Sequence, residues 1–362
     1  MADTDLDLPP APRANPDLVG HAAAEATLRR GFESGRLAHA WLIAGPRGVG
    51  KATLAYRFAR YVLAGGAVQA DLVGGGEAGL ALDADHPVFR RVASGGHRDL
   101  LTIERGVDSK GRERSEVVVA DARRLAEFLA LTPAEGGWRV AVIDAADEMN
   151  RNAVNAVLKL VEEPPRRALV LLVCHVPGRV PRTLRSRCRM LTLAPLAADA
   201  VAELLRRWRP ALAPDAAGQL ARLAEGCPGR ALALADSDGL ALYRDLVGLI
   251  ASAPGIDARR LHGFGDRLAR RGGEDAFATA MALLAGWLAR LVAAGARGAA
   301  PEPLVAGEGE AARRLLAARG LDQWVELWEK VVDLAARTHW VNLDRKQVVL
   351  SIFAALERAV RA

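Results

Sequence analysis

The run Gly45-Pro46-Arg47-Gly48-Val49-Gly50-Lys51-Ala52-Thr53 constrains the fold of this chain more than any other stretch. It follows the pattern G-x-x-x-x-G-K and lies between an apolar segment, Ala40 to Ala44, and an amphipathic one that runs through Leu63. A strand, a tight glycine loop and a helix in that order form a cradle whose successive backbone N–H groups face phosphate oxygens. Gly45 and Gly50 let the backbone curl, Lys51 supplies a point charge for the outer phosphates, and the helix beginning near Gly50 adds its positive end. A nucleotide, held by its phosphates, is the ligand such a cradle takes. An ordinary glycine-rich turn would explain neither Lys51 nor the helix. Ala52 departs from the pattern, because a Ser or Thr hydroxyl would ligate Mg²⁺ there. Thr53 comes one place too late, since one residue turns a side chain about 100° round a helix. Any Mg²⁺ is therefore weakly held.

A second nucleotide element is expected at the end of a neighbouring strand, and residues 138–144 (WRVAVID) fit, closing on Asp144. Asp144 would hold Mg²⁺ through water. A hydrolytic site then needs a carboxylate that prepares the attacking water, and the next residues are Ala145 and Ala146. Asp147 and Glu148 could substitute only from three and four residues further on, where the next helix is expected to start.

At 362 residues the chain has room for two or three domains, each with a core. Half of its residues are hydrophobic, so it is globular. The net charge of +6 permits contact with nucleic acid, yet only five of the 49 basic residues are Lys. The pairs Arg29-Arg30, Arg206-Arg207 and Arg313-Arg314 are spaced like solvated helix faces, which speaks against a plain DNA-binding module. Cys174, Cys188 and Cys227 form no CxxC pair or metal spacing, which points to a reduced, cytoplasmic protein. Residues 1–16 are acidic and Pro-rich without an apolar core, and read as a flexible arm and not as a signal peptide. The longest unbroken apolar run, Ala168 to Cys174, is too short to span a bilayer, so no membrane role is expected.

Along the chain, periodicity predicts a helix over 17–37, then the loop strand and helix. Residues 64–98 are Gly-rich and read as irregular. Short strands are expected over 99–104 and 116–119, a helix over 120–131, a strand over 138–144, a helix over 150–163 and a strand over 168–174. This alternation argues an α/β fold with a parallel sheet covered on both faces. Past Pro195 the reading is helical: three short helices over 197–208, 216–225 and 229–235, then helices to the end with breaks near Gly263, Gly272 and 295–306. Trp287, Trp324, Trp328 and Trp340 read as core. His175, ending a strand beside the presumed nucleotide, is the histidine to watch.

Residues 155–165 (NAVLKLVEEPP), 180–188 (VPRTLRSRC), 39–55 (HAWLIAGPRGVGKATLA) and 342–350 (NLDRKQVVL) together resemble the clamp-loader branch of the AAA+ ATPases. Within it they are most similar to the delta-prime branch of bacterial DNA polymerase III, over nearly the full length. The resemblance implies an AAA+ P-loop domain over 17–195, a helical lid over 196–238 and an all-α oligomerisation collar over 239–362. It implies that Arg187, in Ser186-Arg187-Cys188, is an arginine finger acting in trans on the ATP site of an adjacent gamma/tau subunit. A planar, permanently charged guanidinium suits the charge on a transferring phosphoryl group. By position alone Arg187 could equally be one surface arginine among Arg182, Arg185 and Arg189. The implied partners are gamma/tau and delta, with the sliding clamp and primer-template DNA reached through the assembly, a DNA-directed DNA polymerase and hence a nucleotidyltransferase.

Against active relatives four positions differ: Ala52, Ala145, the strand end at Cys174-His175 where a Thr is usual, and Gly229 where a lid Arg is usual. Arg230 is adjacent but would leave a helix in another direction. The chain is thus expected not to hydrolyse ATP; the alternative is an active, ATP-hydrolysing subunit of gamma/tau type. The family's common four-cysteine zinc module would fall in 64–98, which has no cysteine. No zinc is expected, since His86 and His97 alone cannot close a tetrahedral site.

Overall fold

The computed structural model describes residues 11–66, 79–106, 114, 116–341 and 343–361, with the side chains of 339–341 left aside. Two compact units emerge, Met1–Arg209 with Gly226–Gly229, and Pro210–Glu225 with Arg230–Ala362.

The first unit is built on five parallel strands: β1 (Ala40–Ala44), β2 (Leu100–Glu104), β3 (Arg139–Asp144), β4 (Ala168–Cys174) and β5 (Arg189–Thr192). Their order is β2-β3-β4-β1-β5, which puts the loop strand β1 inside the sheet and β5 on its edge. β1 and β4 are buried along their whole length, which is why they read as unbroken apolar runs. Helices α1 (Ala22–Glu33), α2 (Lys51–Leu63) and α3 (Pro87–Ala93) belong to one face, where Trp41, Ile43, Phe58, Tyr61 and Leu171 share a core. Helices α4 (Val119–Ala130), α5 (Arg151–Glu162) and the short α6 (Arg182–Arg185) belong to the other, with Leu42, Leu125, Ile143, Val157 and Leu172. Burying each such side chain contributes about 1.5–3 kcal/mol before entropy is set against it. α7 (Ala198–Trp208) follows, and the turn at Gly226 comes back to this unit: Leu196 N–H donates to Gly226 O at 2.8 Å, and Cys227 is buried in the same core as Trp41.

α2 is buried on nearly every side, arginines included. Arg60, 1% exposed, donates to Arg13 O at 3.0 Å and Asn15 O at 2.7 Å, and lies over the Phe89 ring. Arg57 bonds Glu25 and Pro16 O. Of the segment expected as a loose arm, residues 13–16 are thus tied to α2, and residues 1–10 lie outside the described residues. The stretch expected to be irregular contains α3, whose Val88, Phe89 and Val92 are buried, while 67–78 falls outside the described residues. His86 and His97 serve as local acceptors, their Nδ1 atoms taking the N–H of Val88 and Asp99, both at 3.2 Å.

Three expectations need correction. Residues 116–119 are no strand: Val117 makes only an isolated parallel bridge to Met149, and Val119 opens α4, with Asp121 accepting from Val118 N–H at 3.2 Å. The helix expected over 17–37 is confined to Ala22–Glu33. Gly263 breaks nothing, lying inside a helix over Ala258–Ala269.

The second unit has helices and no strand among its described residues: α8 (Pro214–Leu223), α9 (Pro228–Asp236, its first two residues in the first unit), α10 (Gly239–Ala251), α11 (Ala258–Ala269), α12 (Glu274–Gly295), α13 (Glu308–Ala318), α14 (Leu321–Val341) and α15 (Arg345–Arg361). α12 is long and apolar enough to cross a membrane by length and composition, a longer candidate than the run considered above. Arg290 interrupts it, and Phe277, Met281, Trp287 and Leu291 are buried in its own unit. Arg290 meets Glu308, fully buried, at 3.3 Å, and Glu308 also accepts from Leu304 N–H at 2.7 Å and Val305 N–H at 3.2 Å. Trp287 and Trp324 are core as expected; Trp328, 36% exposed, is not. The side chain of Trp340 lies outside the described residues.

Candidate functional site: a phosphate loop and an opposite-edge arginine

The phosphate loop leaves β1 at Ala44 and enters α2 at Lys51. Three of its glycines have positive φ, Gly45 at 148°, Gly48 at 81° and Gly50 at 110°, a region L side chains rarely adopt. A Cβ at Gly45 would also stand 2.7 Å from Leu193 O, so geometry and packing both demand glycine there. The loop is braced from outside as well. His21, buried, donates from Nε2 to Val49 O at 2.8 Å, and Gly229 N–H donates to Gly48 O at 2.9 Å.

Lys51 is 3% exposed, and its ammonium donates to Gly45 O at 2.7 Å and Pro46 O at 2.6 Å. Burial lowers its pKa to about 8, against the opposing pull of Asp144 and Asp147. Asp144, at the end of β3, is pushed up to about 6 by burial and by Glu104, its registered neighbour on β2, with Lys51 pulling the other way. Lys51 and Asp144 thus form one electrostatic site. Ala52 packs against the core on the α2 side of the sheet, and Ala145 is buried at 2% exposure. Neither offers an oxygen beyond its own backbone.

The two acids after Asp144 are engaged otherwise. Asp147 accepts from His175 N–H at 2.8 Å and Val176 N–H at 3.0 Å, one on each carboxylate oxygen, and so ties the end of β4. Glu148 pairs with Arg47 of the loop at 2.6 Å and with Arg105 at 3.0 Å. His175 is driven down to about 4 by burial, Lys51 and Arg47, so its ring is neutral at neutral pH. A Cβ at Gly229 would sit 3.0 Å from Gly48 Cα, leaving no room for a side chain, and Arg230 pairs with Glu225 at 3.3 Å.

Arg187 lies elsewhere. Parallel strands share one direction, so the loop is at their C-terminal ends, whereas Arg187 precedes the first residue of β5 at the N-terminal ends. The registered pairs from Trp41↔Arg189 to Ala44↔Thr192 alone put about 10 Å between the two levels, at roughly 3.3 Å per residue. Arg187 Nε meets Glu162 Oε1 at 2.8 Å, and its Nη1 donates to Thr183 O at 3.0 Å. The fold therefore gathers the loop residues with Asp144 and keeps Arg187 apart from them. Sequence reasoning missed His21, Glu162 and the bracing role of Asp147, because their partners lie 28, 25 and 28 residues away and no short motif records such pairs.

The family described as DNA polymerase III, delta subunit, matches residues 20–197. Among curated proteins, DNA polymerase III subunit tau of Escherichia coli (strain K12) is 31% identical over 229 residues, 62% of this chain and 33% of that protein. Subunit delta' of Pseudomonas aeruginosa is 33% identical over 191 residues, 53% of this chain and 54% of that one. Subunit delta' of Bacillus subtilis (strain 168) is 29% identical over 180 residues, 49% of each. The chain thus spans between a third and about half the length of these relatives. The phosphate loop, Asp144 and Arg187 all fall inside the matched segment, and that segment, just under half of the chain, is of the DNA polymerase III clamp-loader family.

Proposed function

We propose that this chain is a clamp-loader subunit of the delta-prime type, which does not hydrolyse ATP itself and supplies Arg187 to the ATP site of a neighbouring gamma/tau subunit. The observation that carries the reading is the place of Arg187, partly exposed at the N-terminal ends of the strands, away from the chain's own phosphate loop at their C-terminal ends. A charged fork so placed can serve a phosphate only on another subunit. The loop itself retains the means to hold ATP or ADP, with Asp144 holding Mg²⁺ weakly through water in the absence of a hydroxyl at Ala52. In this reading residues 17–195 are the P-loop domain, 196–238 the lid and 239–362 the collar. Its partners are gamma/tau and delta in the cytoplasm, with clamp and primed DNA reached through the assembly.

The second reading, an active hydrolase of gamma/tau type, draws on the match to subunit tau. It is disfavoured by Asp147 and Glu148, whose carboxylates are taken up by backbone N–H groups and arginines. The test is ATP turnover by the purified chain, alone and after mixing with gamma/tau, delta, clamp and primed DNA. The expected result is negligible turnover alone and full turnover in the assembly. Turnover by the isolated chain at about 1 s⁻¹ or more, lost on Lys51→Ala, would establish the second reading.

A further inference from the structure

Glu162 and Arg187 come from two motifs that are separate in sequence, and the fold brings them into contact. α5 is capped by Asn150, whose side chain accepts from Ala153 N–H at 2.9 Å, and buries Ala153, Val154, Val157 and Val161. Its last turn is fixed twice over, by the burial of Val161 and by His39 Nε2, which donates to Val161 O at 2.8 Å. Glu162 is the final residue of that helix, just before Pro164-Pro165. On the other side, the turn carrying Arg187 is anchored by the buried side chains of Leu184 and Cys188. Two fixed bases therefore present two long side chains to each other, meeting through Nε and Oε1 at 2.8 Å. Both stay accessible, with 42% of the Arg187 side chain and 40% of the Glu162 side chain exposed.

We infer that Glu162 is a positioning residue for Arg187, setting the direction in which the guanidinium is offered to a neighbouring subunit. This rests on the reading of Arg187 as a finger acting in trans. An unrestrained arginine loses rotamer freedom on reaching a phosphate, and one already held by a carboxylate loses less. The same carboxylate could instead compete with the phosphate, and the contact pattern decides between the two. Glu162 meets Nε, and Thr183 O takes one hydrogen of Nη1, so two of the five donors are engaged, one by a carboxylate on the fixed end of α5 and one by a backbone carbonyl. The others belong to the Nη atoms at the tip, the end that reaches furthest from the chain. The hold fixes the stem of the group and presents its tip.

The test uses the assembled loader and its maximal clamp-loading rate at saturating ATP. Arg187→Ala is expected to lower that rate about ten-fold. Glu162→Ala lowers it about two- to five-fold with the KM for ATP unchanged, as an exposed pair contributes little. The double variant is no slower than Arg187→Ala alone, because Glu162 acts only through Arg187. Glu162→Gln, which keeps an acceptor, recovers part of the loss, and it replaces Glu162→Ala in the cycle if the latter fails to assemble. If Arg187→Ala is impaired while Glu162→Ala matches or exceeds wild type, the inference is wrong and the finger stands. Additive losses in the double variant also overturn it, since a purely structural role of Glu162 would add. A wild-type rate for Arg187→Ala would remove the finger and this inference together.

Discussion

The phosphate loop and the Ser186-Arg187-Cys188 turn stand at opposite ends of one sheet, and they fail to be complete enzymes in opposite ways. The loop has the shape of a nucleotide site and little of the reactive chemistry. Its glycines are curled, buried Lys51 faces half-buried Asp144, Asp147 and Gly229 are spent on holding backbone, and Glu148 is spent on Arg47 and Arg105. The turn offers a charged group without a cradle: a guanidinium at the surface, held by Glu162 and Thr183 O, with the chain's own phosphate loop at the other end of the sheet. On the function proposed above, each is a half-site that a neighbouring subunit would complete. The physical lesson is that binding geometry is kept by packing, whereas transfer chemistry depends on a few exchangeable oxygens and nitrogens.

The largest expected effect that would sharpen this contrast is on the loop side. Lys51→Ala should weaken binding of a fluorescent ATP analogue by the isolated chain by about a hundred-fold, the loss of a charge-assisted contact in a buried site. Co-elution with gamma/tau and delta in gel filtration should remain. An assembly defect would mean that the loop is a structural element of the complex and not a nucleotide cradle.

The next effect is on stability alone. Asp147→Ala leaves the N–H groups of His175 and Val176 without their acceptor, and should lower the stability of the first unit by about 2 kcal/mol. It should leave the ATP turnover of the isolated chain at background. Circular dichroism melting reads the first, and phosphate release the second. Were Asp147 a water-activating base, the substitution would instead abolish a turnover measurable in wild type.

On the opposite edge, the contrast predicts sensitivity to shape with no cost in stability. Arg187→Lys should lower clamp loading by the assembled loader almost as far as Arg187→Ala, about ten-fold, because an ammonium cannot reproduce the planar fork. The melting temperature of the isolated chain should be unchanged, since an exposed pair contributes at most about 1 kcal/mol. Arg182→Ala and Arg185→Ala should be milder. Equal losses from all three would show a general basic patch and not a finger.

How much of this was legible in the sequence follows from the range over which each feature is encoded. β1, the loop and α2 were readable because glycines and a buried strand punctuate a single stretch. β4 was readable because a strand covered on both faces is apolar without interruption. Residues 116–119 misled because consecutive valines favour strands, whereas Val117 reaches only one bridge and Asp121 starts a helix two residues on. α3 hid in a Gly-rich stretch because its identity depends on Phe89 meeting Arg60 across the chain. Trp328 was read as core from residue type, and the face it occupies on α14 is decided by packing that spacing does not reveal. Gly229 showed in sequence only as a missing arginine. That it bears on Gly48 could be learned only from the fold.

The smallest expected effect separates the two regions by pH. In the free loop Lys51 titrates near 8, because burial disfavours its charge, whereas a bound phosphate would hold it protonated. Binding therefore takes up a proton above about pH 8, and affinity falls as pH rises. With one such group, affinity for ATP should drop about three-fold between pH 7.5 and 8.5 and approach ten-fold per unit beyond. Asp144, raised to about 6, sets the acid side: below that pH it loses the charge that would hold Mg²⁺, and the Mg²⁺ dependence of binding should fade. The Arg187 turn stands at the other end of the sheet, away from the nucleotide loop, and is not expected to shape either limb. Titrating the isolated chain with a fluorescent nucleotide from pH 6 to 9 at constant ionic strength reads both limbs. Lys51→Arg should flatten the alkaline limb and leave the acid one. A wild-type profile flat above pH 8 would mean that Lys51 does not face the nucleotide, and the loop would then have to be read as packing alone.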